Sequence, residues 1–225
     1  MNGKLVVAVI AGVIALTWFM TRPDRIRYKM TVEVETPEGV RRGFAVREVA
    51  IRHPLPLPAL GESRVSASVR GEAVVIDLPD GRVLFALLSG EKGDFDYGAW
   101  IADWALNQEL FPGGANAGYK AGEFAELYPT HPQTQSPIVH SALPMLVRFR
   151  DIRDPKSVEK VSPEAAGVKR IWVETTSDAV TTRIEKRLGW LKDEGLTLDP
   201  GGGPTINPTF AQTIRQREFS TEIGK

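Results

Sequence analysis

Cysteine is absent from the sequence. That excludes disulfides, iron–sulfur clusters, cysteine-based zinc sites, a thiol nucleophile and a cysteine-linked lipid anchor. Histidine is scarce: His53, His131 and His140 are the three in the chain, each beside or near prolines in segments read as loops. A three-histidine zinc site would need those distant loops to converge, so they are read as solvated. An excess of one charge is also lacking, because 28 Lys+Arg balance 28 Asp+Glu. Catalytic signatures are missing too, with no H-E-x-x-H, G-x-S-x-G, Walker loop or G-x-G-x-x-G. Gly201-Gly202-Gly203 lacks the preceding strand and following helix that a phosphate cradle requires. No catalytic, cofactor-binding or metal-ligating residue is assigned from the sequence, and no cofactor.

What is present is an ordinary globular composition, 42% hydrophobic and 25% charged over 225 residues, enough for one domain and an appendage. Leu5 to Met20 (LVVAVIAGVIALTWFM) is a run without charge or proline. As a helix it would span about 24 Å, somewhat short of a hydrocarbon core of about 30 Å. Thr21 and the snorkelling stems of Lys4 and Arg22 can make up part of the difference, and Pro23 stops it. The best signal-cleavage candidate, Val13-Ile14-Ala15, lies inside the run, and a buried core helix would show a polar face. The run therefore predicts an N-terminal tail and a single transmembrane helix within residues 1–23, in contact with the lipid bilayer through Leu5 to Met20. Arg22, Arg25, Arg27 and Lys29 follow the run and only Lys4 precedes it. Positive-inside counting thus places the domain on the cytoplasmic rather than the periplasmic side of a bacterial inner membrane. Without residues 1–29, which hold five basic and one acidic side chain, 23 positive charges face 27 negative ones. That balance argues against a nucleic-acid partner.

From Ile26 onward the apolar period is two. Tyr28, Met30, Val32 and Val34 share one face, with Thr31, Glu33 and Glu35 on the other, as in a half-buried strand. Pro37-Glu38-Gly39 leads to a second run, Val40 to Ile51, carrying Phe44, Val46 and Val49. The same turn chemistry recurs at Pro79-Asp80-Gly81, between Ala73–Leu78 and Val83–Leu88, where proline presets φ and glycine takes the left-handed position. The second pair is almost continuously apolar, which predicts burial on both faces. His53-Pro54-Leu55-Pro56-Leu57-Pro58 between the hairpins reads as a stiff connector; the alternative, a polyproline ligand, lacks the basic residue that closes many such motifs.

A helix is predicted from Asp94 or Asp96 to about Phe111, with Tyr97, Trp100, Ile101, Trp104, Ala105 and Leu110 on its apolar side. Trp100 and Trp104 share a face and read as core anchors rather than a pocket floor. Asp94, Asp96 and Asp103 could gather a hard cation, but helix capping accounts for Asp94 and Asp96 without one. A short helix is expected at Gly122–Tyr128, a polar loop at Thr130–Pro137, and strands at Met145–Arg150 and Lys169–Thr175. Asp154-Pro155 and Ser162-Pro163-Glu164 read as helix starts, and Thr182-Arg183-Ile184-Glu185 as a capping box before Ile184, Leu188 and Leu191. Residues 24–192 form the expected soluble β-rich domain, and 193–225 a mobile tail.

The runs Arg27–Gly39 (RYKMTVEVETPEG) and Arg70–Leu88 (RGEAVVIDLPDGRVLFALL) resemble a group of small bacterial proteins with an N-terminal anchor and a β-rich domain. So do Leu143–Phe149 with Asp154–Val158, and Val180–Thr182 with Ile184–Leu188. The resemblance implies a bacterial origin and a membrane location, and carries over no catalytic residue, ligand or partner. The expected fold class is α+β: one N-terminal transmembrane helix, then a mainly antiparallel β domain with a few short helices. The expected function is a membrane-tethered, non-enzymatic binding or scaffold module acting on a protein partner. The alternatives are a subunit of a larger membrane complex and an enzyme of unrecognised type.

Overall fold

Strands β1 (Asp24–Thr36) and β2 (Gly39–Arg52) realise the first alternating pattern as a long antiparallel hairpin, paired from Asp24↔Ile51 to Thr36↔Gly39. The structure, a computed structural model, describes residues 22–52, 66–110, 135–138, 142–192, 196–201 and 206–223, with Ala11 alone before them. Strands β3 (Ser66–Arg70), β6 (Gln135–Pro137) and β9 (Val168–Thr175) complete a first sheet in the order β3-β2-β1-β9-β6. The polar loop expected at 130–137 thus contributes an edge strand, and its Pro137 sits where a missing N–H is tolerated. Strands β4 (Val74–Asp77), β5 (Val83–Gly90), β7 (Pro144–Phe149) and β8 (Val158–Lys160) form a second sheet in that order.

The two sheets pack face to face. Ile26, Tyr28, Met30, Val32 and Val34 of β1 meet Ile76, Leu84, Ala86 and Leu146 of the second sheet in one core. Val32 and Met30 are fully buried; a large apolar side chain removed from water contributes about 1.5–3 kcal/mol. At Gly71 (φ 142°) the chain turns out of β3 and enters β4, so one extended segment serves both sheets. The Leu78–Arg82 turn closes as expected, with Gly81 at φ 78° and its N–H bonded to the Leu78 carbonyl at 3.1 Å.

The second sheet is covered on its other face as well. Phe85, Leu87, Val147 and Phe149 point away from the first sheet and pack against Ile184, Leu188, Leu191, Leu198, Ala211, Ile214 and Phe219. Of residues 193–225, expected as a mobile tail, Leu198, Ala211, Ile214 and Phe219 therefore belong to a third layer. Phe219 is fully buried and makes an edge contact with Phe85, ring centroids 5.8 Å apart. Its neighbours clamp the corner of the β3–β4 segment: Ala73 N–H donates to the Phe219 carbonyl and Thr221 N–H to that of Gly71. The tail's apolar residues follow neither a helical nor a strand period, which is why it reads as unstructured by itself.

Among the described residues the helices longer than one residue are few and short: α1 (Tyr97–Leu110), α2 (Ile184–Arg187) and α3 (Phe210–Thr213). The expected fold class is corrected accordingly. The described chain is mainly antiparallel β, and no helix among the described residues is long and apolar enough to cross a membrane; α1 spans about 21 Å. Leu5 to Met20 lies outside the described residues apart from Ala11. The expected placement as a single-pass inner-membrane protein, with lipid contact through that run, is corrected with the fold class, since none of the described helices could make the crossing. The expected helix at 122–128 and the proline-rich connector also lie outside the described residues.

Candidate functional site: the outer face of the first sheet

The acidic group does not converge. Asp94 and Asp96 are exposed ahead of α1, whereas Asp103 is buried within it. Among the described residues no group of three His, Asp or Glu side chains could hold a metal ion; the three histidines lie outside them. Trp100 and Trp104 are half-buried, and the helix buries chiefly Ala99, Ile101, Ala102, Ala105 and Leu106.

The geometry that stands out lies on the side of the first sheet turned away from the core. Antiparallel register sets Arg42 of β2 beside Glu33 of β1, and Glu33 beside Arg170 of β9. The Glu33 carboxylate accepts from Arg42 Nε at 2.7 Å and from an Arg170 terminal nitrogen at 3.3 Å. It is only 5% exposed, while Arg42 and Arg170 are 60% and 59% exposed. One carboxylate thus lies beneath two guanidiniums that keep most of their donors towards solvent. The hydrogen bond from Arg42, with further help from Arg170, holds the Glu33 carboxyl below the usual glutamate range.

A second copy of the device stands about 20 Å away, six residues along β1. There Glu48 accepts from Arg25 at 2.8 Å and Arg27 at 2.9 Å. Burial pushes its carboxyl up, but the hydrogen bonds from Arg27 and Arg25 outweigh that and its pKa is lowered. The segment 176–181 crosses over this end: Arg27 reaches the carbonyls of Ser177 and Asp178, and Thr181 bonds to the main chain of Val46. The end that carries Glu33 has no such strap among the described residues.

Between the two devices runs an aromatic row. Thr31 is flanked by Phe44 on β2 and Trp172 on β9. Phe44, expected among the apolar residues of β2, turns outward and is 49% exposed, because strand alternation gives the inner positions to Ala45, Arg47 and Val49. Lys29 and Arg183 approach its ring at 5.9 and 5.8 Å from the centroid, and Arg170 stacks on Trp172 at 4.6 Å. Lys29, Arg42, Arg170 and Arg183 outnumber the carboxylates of Glu33, Glu35 and Glu174 across this surface, so its local charge is positive on a chain that is neutral as a whole.

A cleft of about 430 Å³ at one end of the sandwich, floored by Val34, Leu78 and Leu84, shows no such bias. Its lining carries four carboxylates, Glu35, Glu38, Asp80 and Glu164, against two guanidiniums, Arg82 and Arg148. Comparison with protein-family models, curated proteins and solved structures finds no match.

Sequence reasoning found Glu33 as an outward strand position but not its partners. Arg170 is 137 residues away, and no local spacing connects the two.

Proposed function

We propose that the domain is a non-enzymatic binding module that engages an acidic protein partner through the outer face of the first sheet. The observation that carries this reading is the Arg42–Glu33–Arg170 device. Immobilising a long side chain on association costs about 0.5–1.5 kcal/mol. Two arginines tethered to one carboxylate have incurred part of that cost on folding, and their free donors form forks suited to carboxylates. The half-exposed Phe44 supplies the apolar contact that a charged rim alone lacks.

The test is titration of the full-length protein with poly-L-glutamate, using poly-L-lysine and oligo(dT) as comparators. Poly-L-glutamate should bind, and binding should weaken as salt rises. The double substitution Arg42→Gln/Arg170→Gln should weaken it by at least about tenfold while leaving the circular dichroism spectrum unchanged. Preferential binding of oligo(dT), or unaltered binding by the double variant, would overturn the reading.

A further inference from the structure

Among the described residues, the seam between the sheets beside this face is sealed at one end and open at the other. On β2 the main chain of Val46 points away from β1: its N–H donates to Thr181 Oγ1 at 3.1 Å, and its carbonyl accepts from the Thr181 N–H at 3.1 Å. Main-chain groups alternate sides along a strand, so Phe44 and Arg42 present their N–H and C=O groups to the same edge. Strand β3 does not reach them, because its ladder with β2 runs from Glu48 to Arg52.

A groove of about 240 Å³ lies along this edge, bordered by Arg42, Phe44, Val75, Asp77, Arg183 and Arg187. Small-molecule pockets run to about 300–1,000 Å³ and are enclosed by apolar walls. A smaller, open groove along a strand edge suits an extended main chain better. Its charges favour an acidic occupant. Asp77 is paired with Arg187 at 2.8 Å. The Glu72 carboxylate at the floor is taken up by the N–H groups of Arg183 and Ile184 at 2.6 and 2.7 Å. Among the described residues, three guanidiniums therefore border the groove with one carboxylate exposed at its rim.

Building on the face-binding reading above, we infer that this groove takes an extended acidic segment of the partner by strand addition to the Arg42 and Phe44 edge of β2. The incoming main chain continues the edge that Thr181 begins. Side chains of the incoming strand opposite Arg42 and Phe44 share their outer face, so its alternate acidic side chains reach Arg42 and Arg183 there, and the intervening apolar ones turn the other way, towards Val75.

The experiment uses the full-length, ¹⁵N-labelled protein and the peptide acetyl-Glu-Val-Glu-Val-Glu-Val-amide, with its Glu→Lys counterpart. Two further versions are N-methylated, one at the Glu amides and one at the Val amides. The acidic peptide should bind and the lysine peptide should not. Only alternate amides face a strand edge, so one methylated version should lose at least about tenfold in affinity and the other less than about twofold. Hydrogen exchange at the Arg42 and Phe44 amides should slow in the complex. Arg183→Glu should weaken binding at least about tenfold, and Arg153→Glu, remote from the groove, should not. Equal effects of the two methylations, or unchanged exchange at Phe44, would refute strand addition while leaving the face-binding reading intact. Absence of peptide binding would do the same if poly-L-glutamate still binds and still depends on Arg42 and Arg170. Loss of that dependence would remove the face-binding reading itself.

Discussion

Arg47 Nε donates a 3.0 Å hydrogen bond to the main-chain carbonyl of Glu72, while the carboxylate of the same Glu72 turns the other way to the Arg183 and Ile184 N–H groups. Two residues of opposite charge are thus in contact through main chain rather than as an ion pair. Arg47 is fully buried on the inner face of β2, among Ala45, Val49 and Ile51. Its other nitrogens reach the carbonyls of Ala86 and Leu87 at 3.3 and 3.4 Å and Met30 Sδ at 3.5 Å. These carbonyls lie where the ladders are interrupted, at the β3–β4 corner and at the register shift after Ala86. The guanidinium replaces ladder bonds that the bend and the shift remove.

Replacing a buried ion pair by apolar residues is often harmless because both charges leave together. Arg47 offers no such exit, since its partners are main-chain carbonyls that no substitution removes. Arg47→Met should therefore cost about 2–4 kcal/mol, the penalty of stranding buried acceptors. Urea denaturation of wild type and variant measures it, and a variant as stable as wild type would show that the carbonyls find other donors.

Gly43 and Gly81 are needed for different reasons. A Cβ at Gly81 meets nothing within 4 Å, but the residue holds φ 78° in the Leu78–Arg82 turn. Gly81→Ala should cost about 1–2 kcal/mol through backbone strain alone. At Gly43 a Cβ would collide with the main-chain carbonyl of Val75, where β2 and β4 approach. Gly43→Ala should cost about 3 kcal/mol or more, because no side-chain rotation relieves it. Thermal melts that rank the two the other way would contradict the close packing at the seam.

Phe219 tests the third layer. It meets Phe85, Phe149 and Trp190 with ring centroids 5.8 Å away in each case. Phe219→Ala should cost about 3–5 kcal/mol, as expected for a buried aromatic. A loose tail would give almost no change in the unfolding midpoint.

The acid limb of stability should follow Glu33 and Glu48, whose carboxyls are both held below the ordinary range. A carboxyl depressed in the folded state stabilises the fold above its unfolded pKa, about 4.3 for glutamate. That contribution fades as pH falls through the folded value. Urea midpoints should decline on acidification from about pH 5 to about pH 2, and Glu33→Gln/Glu48→Gln should flatten the decline. An unchanged slope in the double variant would assign the acid sensitivity to other groups.

Local signals in the chain were enough for the two hairpins, because alternation and Pro-acid-Gly turns act between residues a few positions apart. They sufficed also for Asp154, whose carboxylate accepts from the Lys156 N–H at 3.0 Å beside a proline at the first helical position. They failed wherever a polar group is satisfied from afar. The capping box at Thr182 is not used: α2 begins after Arg183 with no side-chain cap of its own. The carboxylate serving its first N–H groups comes from Glu72, 112 residues before Ile184. Arg47 sits at an inward strand position whose polarity reads as an error until the broken ladders around it are seen. The Glu33 device needs β1, β2 and β9 in register, and Phe219 needs an uncovered sheet face formed by residues far earlier in the chain. Turn and strand propensity belong to neighbouring residues and can be read from their order. The burial of a charge or an aromatic ring depends on which distant surfaces close over it, and the tertiary structure alone decides that.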